Sequence, residues 1–292
     1  MRWLVTGASG QLGSYLLREA AAQGLSVVAW SGSETGRSFG FDLQPVDLGR
    51  PEQVRSAFQA ARPGPIIHAA ALASVAACRD DPERARAVNA QGSALLARLA
   101  AETGTRFVHV STDMVFDGER GGYREQDSPS PLSVYGRSKS LAEESVISFP
   151  NSLVVRISLL FGPSISGRRS YFDEQVDALR QGRPMRFFRD EWRTPLGLLT
   201  AARALLAIAR SECVGYLHLG GPERLSRLEM GRGLAACLKA DSATIFAIDR
   251  DSVAGAEPRP RDVSLDSSRW RSLFPREPWP DYQDSLREMG LR

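Results

Sequence analysis

The sequence predicts an α/β protein: a doubly wound parallel sheet with helices on both faces, followed by a smaller C-terminal lobe. Three observations predict it. Short apolar or β-branched runs alternate with longer amphipathic stretches through the first half of the 292 residues. A glycine-rich turn, Thr6-Gly7-Ala8-Ser9-Gly10-Gln11-Leu12-Gly13, follows the first of these runs and opens a helical pattern. After Phe161-Gly162-Pro163 the alternation loosens. Residues 1–162 are therefore expected to form the main Rossmann domain and 163–292 mainly a substrate lobe, some segments of which return to the main sheet.

Trp3 to Val5, Val27 to Trp30, Ile66 to Ala70, Phe107 to Val110 and Leu153 to Ile157 read as strands. Their near-continuous apolar character suits strands covered on both faces. Between them, Leu12 to Gln23, Glu52 to Ala61, Pro82 to Glu102 and Val134 to Ile147 read as crossover helices. Pro51 and Pro82 stand where a first helical turn tolerates proline. In the second half, helical patterns at Tyr171 to Gln181, Leu198 to Arg210 and Leu228 to Leu238 are separated by strand-like pieces at Tyr216 to Leu219 and Thr244 to Ile248. A Pro- and Arg-rich stretch, Glu257 to Arg261, precedes a short tail.

Composition excludes several classes. With 37 basic and 34 acidic side chains the net charge is +3, too small to argue for nucleic acid or an anionic membrane. Arg168-Arg169 and Arg259-Pro260-Arg261 concentrate charge locally, and a solvated surface accounts for that better than a phosphate ligand. Cys78, Cys213 and Cys237 have no metal-ligand spacing and fit a reducing compartment. No metal is expected. The N-terminal apolar run is too short for a signal peptide, and Arg203 interrupts the most apolar helical stretch, so a soluble, cytoplasmic protein is expected.

Gly7, Gly10 and Gly13, placed after a strand and before a helix, have the context of a dinucleotide fingerprint. One glycine turns the chain, one admits the pyrophosphate and one lets helix pack on strand, with Ser9, Gln11 and Leu12 filling the turn. The helix N-terminus then offers N–H groups to the phosphates. The run Trp30-Ser31-Gly32-Ser33-Glu34-Thr35-Gly36-Arg37 lacks an acid at its first turn position. Ser31, Ser33 and Arg37 suit a 2′-phosphate, which favours NADP(H) over NAD(H), although Glu34 is near. Asp47 and Leu48 are placed to meet the adenine, or Asp47 caps the helix at Pro51. Ala69, Ala70 and Ala71 allow close approach of a ribose or simply pack tightly.

Thr112, Tyr135 and Lys139 form the expected reaction set. Tyr135 and Lys139 are four apart, on one helix face. A free phenol has a pKa of about 10, and a nearby ammonium lowers it toward useful proton exchange. Lys139 is also placed to hold nicotinamide ribose hydroxyls. Thr112, at the end of a strand, can polarise a carbonyl oxygen. Asp113 reads equally as a second proton relay or a turn former. Asn89 reads as a residue ordering backbone and water near Lys139 or as an ordinary helix residue. His68, His109 and His218 lack ligand spacing and read as structural.

These residues resemble the extended short-chain dehydrogenase/reductase superfamily, and more narrowly the branch containing dTDP-4-dehydrorhamnose reductase and the methionine adenosyltransferase beta subunit. The likeness runs through Thr6 to Gly13, His68 to Ala71, Asp81 to Asn89, Ser111 to Gly118, Pro131 to Lys139 and Val155 to Ser158. It implies Tyr135 and Lys139 as catalytic residues, Thr112 as carbonyl partner, and a nucleotide-sugar pocket in the second lobe near Arg259, Asp113, Met114 and Leu159. The branch usually has Tyr at Met114, and its rhamnose-forming members a Trp near Leu159. An aromatic sugar platform is thus replaced, and another keto-sugar nucleotide than dTDP-4-dehydrorhamnose stays open. The first expectation is a keto-sugar nucleotide reductase. A non-catalytic NADP-binding regulatory subunit and a nucleotide-sugar epimerase or dehydratase are the alternatives. A second copy of the chain, forming a homodimer, is the one macromolecular partner left open.

Overall fold

The computed structural model describes residues 2–253 and 257–291. Seven parallel strands carry it: β1 (Trp3–Thr6), β2 (Val27–Ser31), β3 (Phe41–Pro45), β4 (Ile66–His68), β5 (Phe107–Thr112), β6 (Ser152–Ile157) and β7 (Gly215–Leu219). They are ordered β3-β2-β1-β4-β5-β6-β7, and Arg37–Ser38 runs antiparallel along the β3 edge. The order reverses beside β1, which opens a crevice at the strand C-termini.

Strand geometry divides the core in two. Successive strand residues point to opposite faces, so Val5, Val108 and Val155 join one apolar cluster while Leu4, Phe107 and Val154 join the other. Helices α1 (Gln11–Ala22) and α5 (Leu198–Ala209) cover the first face, contributing Leu16, Leu17, Leu205 and Leu206. Helices α2 (Pro51–Ala61) and α3 (Gly92–Glu102) cover the second with Val54, Phe58 and Leu96. Helix α5 and strand β7 come from the second half of the chain, yet α5 packs on α1 and β7 pairs with β6.

A third cluster holds three helices of the second half together. Phe172 and Val176 of Tyr171–Arg180, Met230 and Leu234 of Arg227–Leu238, and Tyr282 and Leu286 of Tyr282–Glu288 converge on Phe161. Ser170 and Ser226 each start their helix with a reciprocal capping box to the acid three residues on.

Some expected elements differ. The predicted single helix Pro82 to Glu102 is a short turn at Pro82–Ala85, a wider π-helical turn at Arg86–Gln91, and α3. Asn89, inside the wide turn, ties Leu72 N (2.7 Å), Leu72 O (3.1 Å) and Ser138 Oγ (2.9 Å) together. Strand β4 stops at His68 instead of Ala70, because the alanines leave the ladder for the crevice. The C-terminal tail contains two helices, Ser268–Leu273 and Tyr282–Glu288, too short for periodicity to reveal. Among the described residues no helix is long and apolar enough to cross a membrane.

Candidate active site

The glycine turn is dictated by space. Gly7 has φ +70°, and a Cβ there would lie 2.8 Å from Ala70 N. A Cβ on Gly13 would lie 2.0 Å from Gly7 O, so α1 can approach β1 only without one. The turn opens into a single cavity of about 1180 Å³ along the C-terminal ends of the strands.

At one end of that cavity lie Gly7, Ser9, Gly10, Gln11, Leu12 and Gly13, together with Ser31, Asp47, Leu48 and Ala69, Ala70 and Ala71. Asp47 does not cap α2, whose N-cap is Arg50. Its Oδ1 accepts from Gly49 N (2.9 Å) and Arg84 Nη2 (2.8 Å). Partial burial raises the carboxyl pKa, but the Arg84 and Gly49 hydrogen bonds outweigh it and hold it below the ordinary value.

Arg37 is the expected cofactor residue that does not reach the cleft. Residues 37–42 fold into an edge hairpin, where its guanidinium donates to Gly40 O (2.8 Å) and pairs with Asp42 (3.1 Å). Arg168, from the second half of the chain, lines the cavity instead and pairs with Glu34 in the loop after β2.

The reaction set sits midway. Thr112, 8% exposed at the end of β5, accepts from Met114 N (3.2 Å) and donates to Asp113 Oδ1 (3.2 Å). Helix α4 (Val134–Ile147) starts at Ser133, whose Oγ accepts from Gly136 N at 3.0 Å. That cap places Tyr135 and Lys139 on the first turns, and both line the cavity with Thr112.

Lys139 is 1% exposed, and its Nζ donates to Val110 O (2.8 Å) and His109 Nε2 (3.1 Å). Burial pushes its pKa down to about 8, with the Glu143 carboxylate opposing. Burial, then the Lys139 charge, hold His109 well below the usual imidazole range. His109 is thus neutral; Nε2 accepts, so Nδ1 carries the proton, and Nδ1 is buried without a partner. The expected lowering of the Tyr135 pKa is absent here. Burial around the hydroxyl raises it, and Thr112 opposes only in part.

One turn beyond Lys139, Glu143 accepts from Ser111 Oγ (2.5 Å) and from Arg156 Nη2 (2.8 Å), all buried. The Arg156 guanidinium lies over Phe116 and Tyr216, 5.0 and 4.5 Å from the ring centroids. This packing fixes α4 on β5 and β6.

The far end is charged. Asp113, 4% exposed, accepts from Ser158 Oγ (2.9 Å) with Arg193 Nε at 3.8 Å. Burial raises its pKa more than Arg193 lowers it. Burial and then the like charge of Arg193 push Arg227 down to about 10. Arg259 pairs with Glu191, which is 0% exposed, and Arg227 stands 3.6 Å from the same carboxylate. Met114, Leu159 and Leu160 make an aliphatic wall. Arg193, Arg227 and Glu257 escaped sequence reasoning, whereas Arg168 reads there as solvated surface and His109, on the strand that ends in Thr112, as structural.

The fold and this cleft together define an extended short-chain dehydrogenase/reductase. The model of the RmlD substrate binding domain matches residues 1–290, and the chain belongs to that family. It is 31% identical to the dTDP-4-dehydrorhamnose reductase of Mycobacterium tuberculosis, covering 95% of this chain and 90% of the relative. It is 29% identical to methionine adenosyltransferase 2 subunit beta of Bos taurus, covering 93% and 82%. A crystal structure from Sulfolobus tokodaii, described as a hypothetical dTDP-4-dehydrorhamnose reductase, superposes with TM-score 0.86 at 30% identity over 98% of this chain and 99% of that one.

Proposed function

We propose that the protein is an NADP(H)-dependent reductase of a keto-sugar nucleotide, with Tyr135 as proton donor. One observation carries this reading: Thr112, Tyr135 and Lys139 line the same continuous cavity as the glycine turn at one end and Arg193, Arg227 and Arg259 at the other. Bacterial relatives named as dTDP-4-keto sugar reductases support the substrate class.

The residues present fit a dinucleotide: without side chains at Gly7 and Gly13 the turn packs against Ala70 and α1 closes on β1, and Gly7 and Ser9 to Gly13 line the cavity. Gly10 to Gly13 and the start of α1 would hold the phosphates, Asp47 and Leu48 the adenine, and Lys139 the nicotinamide ribose. The bound dinucleotide supplies hydride to the carbonyl carbon. Thr112 donates a hydrogen bond to the oxygen on which charge develops. Tyr135, a phenol whose pKa burial raises further above its ordinary value and which is therefore protonated, gives that oxygen its proton. Lys139 favours the phenolate left behind. The arginines at the far end bind the substrate's diphosphate, and the aliphatic wall of Met114 and Leu159 packs the deoxy side of the sugar.

The test is a panel of dTDP-, GDP- and UDP-linked 4-keto sugars with NADPH, followed by loss of reduced-nicotinamide absorbance. Turnover abolished in Tyr135→Phe supports the reading. The likeness to a methionine adenosyltransferase subunit favours a second one, a cofactor-binding regulatory subunit. Saturable NADPH binding with no consumption across the panel would select it.

A further inference from the structure

The segment after Pro163 crosses back over the glycine turn. Tyr15 Oη donates to Pro163 O (2.8 Å), and Gln11 Nε2 donates to Ser164 Oγ (2.9 Å) and Arg168 O (3.2 Å). Ser164 N is anchored in turn on Asp173 Oδ1 (3.0 Å). These bonds hold the backbone of Arg168 at the rim of the cavity, beside Ser31, Gly32 and Ser33. Its guanidinium reaches Glu34, and the Glu34 carbonyl is held by Ser31 Oγ. The pair joins residues 134 apart in sequence across the cofactor end of the cleft.

We propose that Arg168 recognises the adenosine 2′-phosphate of NADP(H), with Glu34 as its counter-charge when that phosphate is absent. This rests on the dinucleotide reading of the cleft and deepens it. The loop after the second strand of such a sheet is where the adenosine ribose lies. Other cations near this end are placed differently: Arg37 sits on the edge hairpin outside the cavity lining, and Arg84 donates to the half-buried Asp47 at 2.8 Å. Arg168 and Glu34 have side chains 57% and 49% exposed, so their pairing is weak and exchangeable. A phosphate carries more negative charge than a carboxylate and offers a guanidinium a two-point contact. It therefore displaces Glu34, whereas the ribose diol of NAD(H) meets a carboxylate already partnered.

The test is direct binding of NADPH and of NADH to the whole protein, read by nicotinamide fluorescence, with adenosine 2′,5′-bisphosphate and 5′-AMP as competing probes. The wild type is expected to prefer NADPH and the bisphosphate. Arg168→Ala should weaken NADPH about 10- to 100-fold while leaving NADH within about threefold, the range of one charge-assisted phosphate contact. Glu34→Gln should leave NADPH binding intact or tighter. If Arg168→Ala leaves the NADPH preference unchanged, or weakens both cofactors equally, the assignment is overturned while the dinucleotide reading stands. If neither cofactor binds the wild type, both fall together.

Discussion

The ammonium of Lys139 lies 3.1 Å from Nε2 of His109, an imidazole with no solvent exposure and a buried, unpartnered Nδ1. The geometry behind this contact repeats one step along. His109 and Ser111 are two apart on β5, about 6.6 Å along a strand, and Lys139 and Glu143 are four apart on α4, about 6 Å along a helix. Matching rises let His109 meet Lys139 and Ser111 meet Glu143 at 2.5 Å. The pair puts a lysine in a dry site with one proton left to offer the cleft.

Tyr135→Phe removes only the hydroxyl. It is expected to lower kcat with a keto-sugar nucleotide by about 10² to 10⁴, the span of a lost general acid, and to leave NADPH affinity unchanged. Steady-state kinetics beside fluorescence titration check both halves.

The Lys139 pKa of about 8 sets a pH dependence. Below that value the folded chain holds an ammonium; above it kcat/KM is expected to fall about tenfold per pH unit. Stability moves the other way. Between about 8 and the ordinary lysine value of 10.5 the unfolded chain binds the extra proton. This group's penalty is therefore relieved as pH rises through that window. Lys139→Met should abolish both dependences, seen in pH–rate profiles and in denaturation at matched pH.

Glu143→Gln leaves the Arg156 guanidinium, 1% exposed, without its carboxylate. The expected cost is about 3–5 kcal/mol of unfolding free energy. A double variant, Glu143→Gln with Arg156→Met, should recover most of it. Chemical denaturation of the three proteins measures this.

Gly13→Ala drives a methyl onto Gly7 O, 2.0 Å from the ideal Cβ position. Helix α1 must retreat from β1, costing about 1–3 kcal/mol, and saturable NADPH binding is expected to disappear. Gly24→Ala, where a Cβ meets nothing within 4 Å, is strained only by its φ of +66°. It should keep cofactor binding, which separates the cradle from general instability.

Arg259→Ala should raise KM for the nucleotide sugar about 10- to 100-fold, the worth of a lost charge-assisted phosphate contact, while NADPH affinity holds. Initial-rate kinetics with the panel's best substrate decide it.

Much of the sheet was legible because buried parallel strands are apolar throughout and glycines mark the turn after β1. The Tyr135–Lys139 spacing and the Ser111-Thr112-Asp113 strand end were legible for the same local reason. Arg37 misled, since a loop arginine carries no sign of which way its hairpin turns, and here Gly36 and Gly40, at φ +95° and +89°, turn it away. The two tail helices, of six and seven residues, are shorter than the repeat needed to recognise them.

Local steric and periodic rules, written in consecutive residues, were enough to determine the five inner strands, most of their crossover helices and the glycine turn, but neither the strand Phe41–Pro45 nor the wide turn at Arg86–Gln91. Partnerships between distant residues were left to the folded chain: Lys139 with His109, Glu143 with Arg156, Arg168 with Glu34, and Arg193 beside Asp113. The physical reason is that charge pairing and desolvation depend on what packs against a side chain. Those neighbours exist only once β5, β6 and α4 have closed together and the second half has folded back over the glycine turn.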